Sequence, residues 1–212
     1  MDAAIETGVD AMLIAGDLFD SARVKPQEVE AAWSQIARVP VPVIIIPGNH
    51  DCLGNPSIYS RISHTDAGEH VYFLREPDGE YLTLHDLGLT VWARGMVDHY
   101  PANFPLRGYE PLQDGNWQLV MAHGHYVPDS EETFRSSPIP EQQLGDLVCD
   151  YVALGHWHRF EDVSVNDTKA YYCGSPAEPG MKNASANLVT FDPTQGVSIE
   201  RVPLPPYEGP PH

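Results

Sequence analysis

Four short apolar runs in this chain each stop at a polar motif containing glycine, and that repetition restricts the fold more than any other feature. Ala11-Met12-Leu13-Ile14-Ala15 gives way to Gly16-Asp17-Leu18-Phe19-Asp20, and Val43-Ile44-Ile45-Ile46 to Pro47-Gly48-Asn49-His50-Asp51. Gln118-Leu119-Val120-Met121 leads into Ala122-His123-Gly124-His125, and Tyr151-Val152-Ala153-Leu154 into Gly155-His156-Trp157-His158. Runs of this length, bounded by turn residues, read as strands, the first of them covered on both faces and the second buried as well.

Between the first two runs, Pro26 opens a segment with Val29, Ala32, Trp33, Ile36 and Ala37 at three-to-four spacing, which predicts an amphipathic helix to about Val39. Strand, helix, strand predicts a βαβ unit with parallel strands and a right-handed crossover, so Asp17 and Asn49 should emerge at one sheet edge. Ala3 to Thr7, closed by Gly8, reads as the last turn of a helix. Short helices are expected at Pro56 to Ile62 and Glu141 to Leu147. Further strands are expected at Val71 to Leu74, Glu80 to Leu84, Leu89 to Ala93, Glu161 to Val165, Ala170 to Cys173, Asn187 to Phe191 and Val197 to Val202. Asp98 to Asn116, rich in Pro, Gly and aromatics, reads as a long surface loop able to edge a site. Parallel strands first and antiparallel ones later predict an α/β fold of two mixed β-sheets packed as a sandwich and flanked by helices. Residues 1–202 are expected to form one domain, and the Pro-rich residues 203–212 an extended tail.

Composition limits the partners. Twelve Lys and Arg against thirty Asp and Glu give a net charge of −18, which repels polyanions and disfavours nucleic acid as an unaided partner. Three cysteines without paired short spacing argue against a disulfide framework or a thiolate zinc site and fit a reducing compartment. The first residues lack a basic region and a long apolar run, so the chain reads as cytoplasmic with no membrane partner.

Loops beyond the carboxyl ends of strands in an α/β sheet share one crevice, so the four polar motifs can converge. Carboxylate, amide oxygen and imidazole together form a ligand set for a divalent ion, without thiolate. The motifs resemble those of the calcineurin-like metallophosphoesterases, whose pattern runs D-x-H, G-D-x-x-D, G-N-H-D/E, H and G-H-x-H. The last four occur here in order, from about Asp10 to Pro176. With Gly174-Ser175-Pro176, they look most like the branch of Mre11/SbcD-type DNA-repair exonucleases.

The resemblance implies two divalent ions, manganese first and Fe, Zn, Mg or Ni as alternatives. Asp17 would bridge them, Asn49, His123 and His156 would complete one, and His158 would bind the other. His50 would protonate the leaving alkoxide and Asp20 would orient it. His125 shares the spacing of His123 and stays open as the alternative ligand. Asp51 is divided between a turn stabiliser and an orienting group. His64, His70, His85, His99 and His212 are expected at the surface. The family's D-x-H motif would lie upstream of Asp2, so the expected fold lacks its first strand and the second ion keeps an incomplete site. A late start or fragment is preferred, with a degenerate domain or a partner-supplied strand as the other readings.

The expected function is metal-dependent hydrolysis of a phosphoester, with a phosphodiester preferred, by a two-metal mechanism weakened by the missing motif. The alternatives are a non-catalytic metal-binding scaffold and a nuclease fragment needing a partner subunit. A homo-oligomer is also open.

Overall fold

The computed structural model describes residues 1–132, 134–176 and 184–205. A helix α1 (Asp2–Thr7) ends at Gly8 in the left-handed conformation and is followed by β1 (Met12–Ala15). The amphipathic helix α2 (Pro26–Ile36) buries Val29, Trp33 and Ile36 and precedes β2 (Val43–Ile46). β3 (Val71–Phe73) completes a parallel three-stranded sheet in the order β1-β2-β3.

The second sheet holds β4 (Glu80–Leu84), β5 (Leu89–Ala93), β6 (Trp117–His123), β9 (Tyr151–Gly155), β10 (Phe160–Asp162) and β11 (Ala170–Cys173). Its order is β10-β11-β9-β6-β5-β4, parallel inside and antiparallel at both edges. β7 (His125–Val127) and β8 (Pro138–Pro140) form a small parallel pair followed by α3 (Glu141–Gly145). β12 (Ser185–Asp192) and β13 (Gly196–Pro203) form a hairpin.

Two-residue alternation stacks these layers. Ile44 and Ile46 face Leu119, Met121, Tyr151 and Ala153 in the core between the sheets. Val43 and Ile45 point the other way, into a core with Phe19, Trp33, Ile36 and Tyr59. Val120, Ala122, Val152 and Leu154 pack with Ile139, Leu144 and Tyr172 on the outer face of the second sheet. Successive side chains on a strand point to opposite faces, so strands apolar at every position serve two cores.

Several elements differ from expectation. β1 is an edge strand among the described residues and its four residues are only partly buried, so coverage on both faces holds for β2 but not for β1. The helix expected over Pro56 to Ile62 is a single 3₁₀ turn, Ile58–Ser60, followed by a second at His64–Ala67. The hydroxyls of Ser57 and Ser63 accept local backbone N–H groups there, offering the chain an alternative to a longer helix. α3 stops at Gly145, where a Cβ would lie 2.7 Å from Val165. The β7/β8 pair is unforeseen because Pro-Ile-Pro carries a poor strand signal. The strand expected over Glu161 to Val165 divides into β10 and an isolated bridge between Val165 and Thr168. Pro203 closes β13, and residues 206–212 of the expected tail, His212 included, lie outside the described residues. No helix among the described residues is long and apolar enough to cross a membrane.

Candidate metal centre

Parallel pairing of β1 with β2 sets Ala15 opposite Ile46, so the turns carrying Asp17 and Asn49 leave the sheet together. The pairing of β6 with β9 likewise sets His123 opposite Gly155, one residue before His156. Stacking of the sheets brings the two pairs face to face. Ligand atoms of Asp17, His123 and His156 lie within 4.8 Å of one another. Asn49 Oδ1 joins them, 2.9 Å from His123 Nε2 and 2.8 Å from His156 Nδ1. Asp17 Oδ2 is 3.2 Å from His123 Nε2.

His123 is the last residue of β6 and is 3% exposed, which fixes its ring as firmly as a core side chain. Its Nδ1 donates to the carbonyl of Ala15 at 2.8 Å, tying one sheet to the other. In the neutral ring that bond leaves Nε2 as a lone pair, facing the oxygens of Asn49 and Asp17. Acceptors crowded around one point need a shared proton or a cation between them.

Close backbone approach makes this possible. A Cβ on Gly155 would lie 1.8 Å from the Ala15 carbonyl oxygen, and one on Gly48 would lie 2.2 Å from Asp17 Oδ1. Asp17 and His156 themselves adopt positive φ, 54° and 108°. Non-glycine residues in that region cost on the order of 1–3 kcal/mol each, and such strain gathers at functional sites.

Asp51 holds the two ligand turns together. It is 1% exposed. Its Oδ1 accepts from Gly48 N at 2.6 Å and Asp17 N at 3.2 Å, and its Oδ2 from Phe19 N at 3.2 Å and the Tyr59 hydroxyl at 2.7 Å. Burial lifts its pKa, against the lowering effect of the Tyr59 and Gly48 hydrogen bonds. At Asp17, burial pulls upward but the His123 hydrogen bond and charge, with the His50 N–H, leave the carboxyl below its ordinary range. Burial, then the neighbouring His123 and His99, pushes His156 down to about 4, so it offers a neutral nitrogen at neutral pH.

His50 stands exposed at the rim. Its backbone N–H donates to Asp17 Oδ1 at 2.9 Å, and its Nδ1 lies 3.0 Å from the carbonyl oxygen of Asp20. The Asp20 carboxylate is farther, 3.5 Å from Nδ1. Asp20 thus meets His50 first through its backbone.

Of the two closely spaced imidazoles, His123 lies with Asp17 and His156, whereas His125 Nδ1 accepts from Trp157 Nε1 at 2.9 Å. His158 is exposed and outside the group. It lines a cavity of about 940 Å³ with His125, Tyr126, His156, Trp157 and Arg159. His99 is exposed, as expected, and its ring lies 5.7 Å from that of His156. Its loop carried no periodic signal linking it to the other motifs.

The sequence profile of the calcineurin-like phosphoesterases matches residues 1–160. The chain belongs to the calcineurin-like phosphoesterase family. Within it, the chain is 27% identical over 184 residues to the uncharacterized metallophosphoesterase YhaO of Bacillus subtilis (strain 168), covering 82% of this chain and 43% of that protein. Over 194 residues it is 27% identical to the DNA double-strand break repair protein Mre11 of Methanopyrus kandleri, covering 83% and 42%. Over 257 residues it is 24% identical to a subunit of the SbcCD nuclease of Escherichia coli (strain K12), covering 97% and 62%. These relatives accord with the Mre11/SbcD-like branch indicated by the motifs, and the chain spans less than two thirds of their length. The phosphoesterase fold is shared with an archaeal phosphodiesterase at TM-score 0.51 and 14% identity, covering 96% of this chain and 88% of that one. It is also shared with a Thermus thermophilus protein at TM-score 0.57 and 13% identity, covering 95% and 89%.

Proposed function

We propose that this chain hydrolyses a phosphoester, a phosphodiester before a monoester, using divalent ions of which manganese is the first to try. The observation that carries the reading is the convergence of Asp17, Asn49, His123 and His156 with acceptor atoms facing each other. The donor set fits a divalent ion of the Mn, Fe or Zn kind, with oxygen and imidazole nitrogen and no thiolate. When bound, such ions supply Lewis acidity toward phosphoryl oxygens and acidify water. Asp17 and His158 are the proposed holders of a second ion, on the resemblance alone.

The remaining chemistry falls to the protein's own groups. His50 donates from Nδ1 to the Asp20 carbonyl, which leaves Nε2 to carry the proton that moves to the leaving alkoxide oxygen. The N–H of His50 on Asp17 Oδ1 fixes the distance between this acid and the ligand cluster. The Asp20 carboxylate lies farther off, 3.5 Å from Nδ1. The cavity beside His156 and His158 offers room for the ester's substituents.

One observation favours a second reading. Among the described residues, Asp17, His123 and His156 are the one group of three or more acidic, His or Cys side chains placed for a cation. That is the minimum for a metal-binding scaffold without turnover. The names of two relatives, a DNA double-strand break repair protein and a nuclease, point to DNA as substrate, whereas a charge of −18 sets a partner subunit or a further domain as the condition for holding it.

The test is turnover of bis(p-nitrophenyl) phosphate by the purified chain with manganese. Loss of turnover in His50→Ala with metal uptake unchanged supports the hydrolase. Tight uptake of one ion with no turnover by the wild-type chain establishes the scaffold instead.

A further inference from the structure

Three contacts tie the loop after β5 to Ser137. The Ser137 N–H donates to the Tyr100 carbonyl at 3.2 Å, Asn103 Nδ2 donates to Ser137 Oγ at 2.8 Å, and His99 Nδ1 lies 3.2 Å from the same oxygen. Ser137 is wholly buried and held at φ 50°, a conformation that costs energy in a residue with a Cβ. His99, at the far end of this chain of bonds, stands with its ring 5.7 Å from His156 and within electrostatic reach of Asp17, His50 and His123.

The hydrogen bonds point to one tautomer. Ser137 Oγ already accepts from Asn103, so its single hydrogen goes to His99 Nδ1 at 3.2 Å or to Met96 Sδ at 3.9 Å. An imidazole nitrogen is much the better acceptor. The proton of a neutral His99 therefore sits on Nε2, which has no hydrogen bond to the described residues.

We propose that His99 is a substrate-binding residue whose Nε2–H donates to a non-bridging oxygen of the phosphoryl group, with Ser137 and Asn103 acting as positioning residues. This rests on the reading of the site as a phosphoester hydrolase. The ligand cluster offers anions only acceptors beyond its cations, and His50 is committed to the leaving group. A neutral donor beside the cluster supplies orientation without competing for metal, as an imidazole protonated on Nε2 can. A donor of this kind acts on the bound ester as a whole, so its loss falls on kcat/KM.

The probe is inorganic phosphate, titrated calorimetrically into the full chain saturated with manganese, alongside kinetics with bis(p-nitrophenyl) phosphate. In His99→Ala, phosphate affinity and kcat/KM fall by about tenfold or more while manganese affinity stays within twofold. Ser137→Ala gives a smaller loss in the same direction. Long-range ¹⁵N–¹H spectra of wild-type protein, assigned with His99→Gln, show His99 protonated on Nε2, and Ser137→Ala erodes that preference. Unchanged phosphate affinity in His99→Ala, no phosphate binding by the wild type, or a proton on Nδ1 would each overturn the proposal. If the wild-type chain binds phosphate but turns over no ester, the hydrolase reading fails while the phosphate and NMR arms still decide the role of His99.

Discussion

Asp17 Oδ1 accepts the backbone N–H of His50 at 2.9 Å while Oδ2 faces His123, so one carboxylate joins the rim histidine to the buried imidazole. Asp17→Asn keeps the shape and removes the charge. Manganese affinity should fall by at least about 100-fold, the upper end of what loss of a mere outer partner costs. Calorimetric titration checks this, and an unchanged affinity would remove Asp17 from the ligand set.

Asp51 predicts a stability effect separable from chemistry. Four donors converge on its buried carboxylate, and Asp51→Ala leaves Gly48 N, Asp17 N, Phe19 N and the Tyr59 hydroxyl without it. The expected cost is about 3–5 kcal/mol in metal-free urea unfolding. Tyr59→Phe removes one donor and should cost about 1–2 kcal/mol.

Gly155 tests the contact between the sheets. A Cβ there would lie 1.8 Å from the Ala15 carbonyl oxygen and 2.8 Å from His123 Nδ1, both essential to the imidazole's placement. Gly155→Ala should destabilise the fold by about 1–3 kcal/mol and weaken metal uptake as well, since backbone must shift. Thermal unfolding with and without manganese separates the two effects.

His156 predicts a pH dependence in metal-free protein. Burial, with His123 and His99 adding to it, depresses its pKa to about 4, against about 6.5 in an unfolded chain. Above the unfolded value neither state holds the proton. Below it the unfolded chain takes a proton that the folded one refuses until about 4, so stability is lost as pH falls across that interval. Urea midpoints in chelator at pH 7 and pH 5 should drop more in wild type than in His156→Gln. An equal drop in both would show that His156 is not the cause.

Legibility differs with range. The strands at Val43 to Ile46 and Tyr151 to Leu154 are readable because every position is apolar, and the structure buries alternate residues in different cores. The motif residues Asp17, Asn49 and His156 are readable because each follows a strand, and parallel pairing must bring such ends together. The short turns near Ser57 and Ser63 pass for one helix in the sequence because hydroxyl-to-backbone bonds leave no periodic trace.

Sequence by itself determined the layered α/β plan and most of the polar groups at the strand ends, since both follow from local apolar pattern and strand polarity. Tertiary structure alone set His123 rather than His125 beside Asp17 and His156, made Asp51 the clasp of two turns, and placed the His99 ring next to that of His156. Each of those outcomes depends on contacts between segments distant in the chain, where which atom meets which is set by sheet stacking and a buried serine, not by neighbouring residues.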